Sequence, residues 1–73
     1  MNTVDKVIEV CRPYLGPAAE QFIKRQCAVY LGTNPDKVVA SQLAALAKGV
    51  ETSAVRVMDE GKAKELATKI AGL

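Results

Sequence analysis

Residues 14–32 read YLGPAAEQFIKRQCAVYLG. The stretch opens and closes on the same three letters, Tyr-Leu-Gly, and each copy is preceded by Cys-x-x. Gly16-Pro17 suits the start of a helix, because proline at the first helical position gives up an N–H that has no intrahelical partner anyway. Glu20 in the first turn suits the helix dipole. Gly32 suits the residue just past the helix end, where a left-handed backbone is needed. The stretch therefore predicts a helix over 17–31, with Ala18, Ala19, Phe22, Ile23, Val29 and Tyr30 as its apolar positions.

Working outward, the preceding residues predict a helix that opens at Asn2-Thr3, with Thr3 as N-cap and Asp5 in the first turn. Val4, Val7, Ile8, Cys11 and Leu15 form its apolar stripe. Pro13 predicts an end near Cys11 or a kink there. After Gly32, Asn34 can cap and Pro35 can begin a turn, and Ser41 can cap again. The third helix starts at 35 or, in the preferred reading, at about 42 after a short turn. It runs to about Met58, with Leu43, Leu46, Ala47, Val50, Ala54, Val57 and Met58 on one face. Asp59 caps a last helix that turns Ala63, Leu66, Ala67 and Ile70 inward. The expected fold is all-α: one domain over 1–73, four short helices in a compact bundle, the second and third longest.

Composition narrows the function. The chain has 73 residues, 49% of them hydrophobic, three aromatics, no Trp and no His. So small a core typically supplies only ~3–5 kcal/mol, which makes self-association or a partner a reasonable source of stability. The net charge of +2 is mild, and no basic run exceeds Lys24-Arg25. No apolar window approaches the ~18 residues of a membrane span, and the start lacks a secretory pattern. These features predict a cytoplasmic protein with reduced thiols.

The two cysteines do not make a bridge. If the first two helices turn near Gly16, Cys11 and Cys27 are offset by roughly 9 Å along the axis, beyond the ~7 Å limit for a disulfide. Without His, a zinc site would need carboxylates as well. Both read as packing residues, with Cys27, at the edge of its face, the better candidate for a reactive thiol. Gln26 falls within the apolar stripe of its helix. It either ties down a loop carbonyl or helix end, or joins Arg25 in contacting a partner. Ala45, Gly49 and Ser53 form a small-residue strip that can seat another helix of the chain or a second copy. Asp36, Glu51, Asp59 and Glu60 form no paired-carboxylate spacing. With no phosphate loop and no activated serine, no catalytic, cofactor or small-molecule site is expected.

Two resemblances bear on this. LGTNPDKV, residues 31–38, is similar to the early loop of acyl carrier proteins, but the expected Asp-Ser-Leu is missing and Thr52-Ser53-Ala54 falls inside a helix. YLGPAAEQFIKRQ, residues 14–26, and LAALAKGV, residues 43–50, resemble a small helical domain of unknown function with a Leu-Gly-Pro-Ala corner, found appended to bacterial signalling proteins. That resemblance implies an interaction module without catalytic residues. The expectation is a protein–protein interaction module in bacterial signalling or regulation, a homodimer using Gly16, Pro17 and the third helix. The alternatives are weak nucleic-acid binding through Lys24, Arg25, Lys62, Lys64 and Lys69, and a thiol-based redox role for Cys27.

Overall fold

Gly16 and Gly32, the two ends of the Tyr-Leu-Gly copies, both take left-handed backbone angles, with φ of +60° and +61°. Only glycine adopts that conformation without a steric cost, and the two positions set where the chain turns. In the computed structural model, residues 3–34 and 37–73 are described. The expectations for Asn2, Pro35 and Asp36, and a third-helix start at 35, lie outside them.

The described residues form helices and connecting turns, with no strand among them. Helix α1 spans Thr3–Leu15, α2 Ala19–Gln26, α3 Leu43–Ala54 and α4 Glu60–Ala71. They are not four separate rods. A 3₁₀ turn at Gly16–Ala18 joins α1 to α2, and α2 continues as a π turn over Cys27–Leu31. The described residues thus form three helical runs, 3–31, 40–54 and 60–71. The expected lengths are also corrected: α1 has 13 residues against 8 in α2 and 12 each in α3 and α4.

Several local expectations change with it. Thr3 lies within α1 and does not cap it. Pro13 neither ends nor breaks α1 at Cys11, because the helix closes only two residues later at Leu15. One missing N–H near an ending turn costs little regular structure. Ser41 does not cap α3. Instead the Val39 N–H donates to Oε1 of Gln42 at 3.0 Å, and Ala40–Gln42 forms a 3₁₀ lead-in. Helix α3 stops at Ala54, short of Met58, where Val57 and Met58 N–H both donate to the Ala54 carbonyl at 2.9 Å. The β-branched and hydroxyl residues from Thr52 to Val57 have modest helix propensity and favour that stop. Asp59 caps α4 as its sequence predicts, its Oδ1 accepting from Lys62 N–H at 2.8 Å.

The core is aliphatic. Val7 and Cys11 of α1, Ile23 and Cys27 of α2, Leu46 and Val50 of α3, and Leu66 and Ile70 of α4 are all fully buried. Burying one such aliphatic side chain is worth about 1.5–3 kcal/mol. Helices α3 and α4 form the most extensive pairing, while α2 packs on α1 and α3. The inward positions expected on α4 are all buried. On the first run and on the stripe expected for α3 the apolar faces are too wide. Ala18, Val29, Tyr30 and Val57 lie outward, Val29 at 67% exposure and Val57 at 65%. The described residues have a radius of gyration of 10.6 Å, and no helix among them is long and apolar enough to cross a membrane.

Candidate functional site

Gln26 is the buried polar residue of the core, 3% exposed. It closes α2, and an amide placed there must find a partner or it destabilises the fold. Its Oε1 accepts from Ser53 Oγ of α3 at 3.0 Å. The partner is thus a side chain on the next helical run, rather than the loop carbonyl or helix end that the sequence suggested. Ser53 Oγ also lies 3.4 Å from the Tyr30 hydroxyl. A serine hydroxyl has one proton. With that proton on Gln26, the Tyr30 O–H is the donor in the second contact. No buried side-chain nitrogen or oxygen among the described residues lacks a partner.

Tyr30 also settles the fate of the small-residue strip. A Cβ placed on Gly49 would lie 2.5 Å from Cδ2 and 2.6 Å from Cγ of its ring. The ring rests on the bare backbone of α3. Tyr30 lies in the π turn four residues after Gln26, and both side chains meet α3 at Ser53. Of Ala45, Gly49 and Ser53, only Ala45 is exposed, while Gly49 is buried and Ser53 is bonded to Gln26. The strip is therefore closed from within and does not form an open seam for a second copy.

Cys27 is not at the edge of its face: it follows the fully buried Ile23 by four residues and is itself buried. Both thiols are free and fully buried. Burial pushes the Cys11 thiol up to about 12 and raises Cys27 as well. The reactive species of cysteine is the thiolate, so the environment of Cys27 works against the redox role expected for it.

An open surface remains beside the Gln26–Ser53 bond. A shallow groove is lined by Phe22, Arg25, Gln26, Ser53, Arg56 and Val57. A second depression, lined by Ala18, Gln21, Phe22 and Arg25, shares two of these residues and leads toward the Gly16-Pro17 corner. Arg25 and Gln26 are thus brought together with Ser53, whereas Ala45 stands apart. Arg56 is the residue that the sequence reading missed. Its signal was available, because it follows Ser53 by three positions and so shares its helix face.

The charges divide unevenly. Lys24 pairs with Glu20 at 3.3 Å, Arg12 with Glu9 at 3.2 Å and Lys69 with Glu65 at 3.6 Å. Lys69 Nζ also sits 5.1 Å from the centre of the Tyr14 ring, and Tyr14 first, then Glu65, raises its pKa. Among the described residues, Arg25 and Arg56 take part in none of these pairs. Lys62 and Lys64 are exposed on α4, which packs on α3 and α1 rather than beside α2. The five basic residues proposed for nucleic acid are therefore not gathered on one face.

No protein-family model matches the chain, and no curated protein or solved structure matches it. The α2–α3 face presents two guanidinium groups beside apolar Phe22 and Val57, over the closed Gln26–Ser53 bond.

Proposed function

We propose that the chain is a non-enzymatic helical protein–protein interaction module acting in regulation in the cytoplasm, with the α2–α3 face as its binding surface. The observation that carries this reading is the open groove at the end of that face, where Val57 is 65% exposed and lines the same hollow as Phe22, Arg25 and Arg56. Arginine beside exposed apolar side chains is the composition that recognition surfaces favour. The resemblance of residues 14–26 to a corner found in bacterial signalling proteins adds support, as does the absence of histidine from the sequence. Self-association is one form of this reading, and the Gly-Pro corner adjoining the groove is the place for it.

Photo-crosslinking in cells tests the proposal. A photoreactive residue at Val57 should give a discrete cross-linked species, and the same residue at Lys64 should not. No species from Val57, or the same species from both positions, would overturn it.

A further inference from the structure

We infer that the α2–α3 groove receives an acidic segment of a partner protein, its carboxylates held by Arg25 and Arg56 and a neighbouring apolar side chain laid on Phe22 and Val57. This rests on the interaction-module reading and names the chemistry of the partner.

The argument is one of charge complementarity. The groove lining contains two arginines and no acidic residue. Three other cations have an acidic neighbour on their own helix, in Arg12–Glu9, Lys24–Glu20 and Lys69–Glu65, whereas Arg25 and Arg56 share one hollow that holds no acid. Arg25 stands directly beside the paired Lys24 and is left out of that pairing. Each guanidinium keeps donors in a planar fork that fits a carboxylate with two parallel bonds. The floor does not compete for them, because Oε1 of Gln26 is already occupied by the Ser53 hydroxyl. Phe22 and Val57 supply apolar surface in the same hollow, so the matching ligand alternates acid with apolar groups.

A second copy fits this chemistry poorly. Its Glu9, Glu20 and Glu65 pair with its own cations, Asp59 caps α4 and Asp5 has a partner. The other described acids, Glu51 and Glu60, do not stand in a run that alternates acid with apolar groups. Nucleic acid fits poorly as well, because a phosphate backbone is tracked by a continuous basic stripe. Here Lys24 and Lys69 are engaged, and Lys62 and Lys64 lie on another helix.

The test uses the full ¹⁵N-labelled chain and a synthetic peptide of alternating Asp-Glu and Leu-Phe residues. Amide shifts should centre on Phe22, Arg25, Arg56 and Val57. The Arg25→Gln/Arg56→Gln variant should bind about tenfold more weakly or worse, and Lys62→Gln/Lys64→Gln should bind as the parent does. The inference is overturned by no shifts, by equal shifts with a lysine-for-acid peptide, or by tighter saturation with single-stranded DNA. It is also overturned if the same residues shift with protein concentration alone, which would identify the occupant as a second copy. A Val57 cross-link together with a silent peptide titration would sink the acidic partner and leave the interaction module standing.

Discussion

Ser53 Oγ donates to Oε1 of Gln26 at 3.0 Å, joining α3 to the end of α2 inside an otherwise aliphatic core. Removing one partner should cost more than removing both. Ser53→Ala leaves the amide oxygen buried without a donor, for about 1–3 kcal/mol. Adding Gln26→Leu should recover much of that loss, because leucine has similar bulk and no polar atom. Urea unfolding of both single variants and the double variant checks this, and additive losses would contradict it.

Gly49→Ala should reverse its sign with its neighbour. In the parent chain the new methyl meets the Tyr30 ring at 2.5 Å, so the ring must move and the protein loses stability. In a Tyr30→Ala background the space is open. Helix propensity alone then favours alanine over glycine by about 1 kcal/mol. Thermal melts of the four variants give both signs.

Gly32→Ala should destabilise by about 1 kcal/mol although nothing lies within 4 Å of the added methyl. The cost is conformational, because φ is +61° and an L-residue pays to enter the left-handed region. Gly32→Asn should cost less, since asparagine tolerates that region. Equal losses for the two variants would point to a cause other than the backbone.

Burial of Cys11 gives a pH dependence of known sign. Its thiol is raised from 9.0 to about 12 in the fold. Below pH ~9 both folded and unfolded chains keep the proton, and the burial contribution is fully present. Above it the unfolded chain ionises first, and stability falls by up to about 1.4 kcal/mol per pH unit until the folded thiol also titrates. The stability advantage of the parent over Cys11→Ala should therefore shrink by about 2 kcal/mol between roughly pH 8 and 10.5. A constant difference in urea unfolding across that range would contradict the assignment.

Much of this fold is readable in the letters. Asp59 caps α4, Gly32 stops the first run, Gln26 lies among core residues, and α4 turns Ala63, Leu66, Ala67 and Ile70 inward. Each of these rests on a local rule. What escapes is how wide a face the neighbouring helices cover, because a plot at 100° per residue shows which positions share a face and not how much of it is packed. Val29 and Val57 therefore lie outward, while Tyr30 covers Gly49 and stays 44% exposed. Cys27 is legible, since Ala19, Ile23 and Cys27 stand four residues apart on one stripe and all are buried. Helix α3 also stops at Ala54 rather than Met58, which leaves Arg56 and Val57 on the exposed turn that lines the groove.

The repeated Cys-x-x-Tyr-Leu-Gly has a final consequence, and it concerns the order of assembly. The copies share a left-handed glycine, but their tyrosines grip different helices. Tyr14 carries the Lys69 ammonium of α4, and Tyr30 covers Gly49 of α3. Helices α3 and α4 are sequence neighbours, and their hairpin closes a short loop at little entropic expense. The Tyr14–Lys69 contact must instead close a far longer stretch of chain, so it is expected to form after that hairpin. Truncating the Tyr14 ring should therefore quicken unfolding far more than it slows folding. One hexapeptide, used twice, fastens the early half of the chain to both helices of the late half.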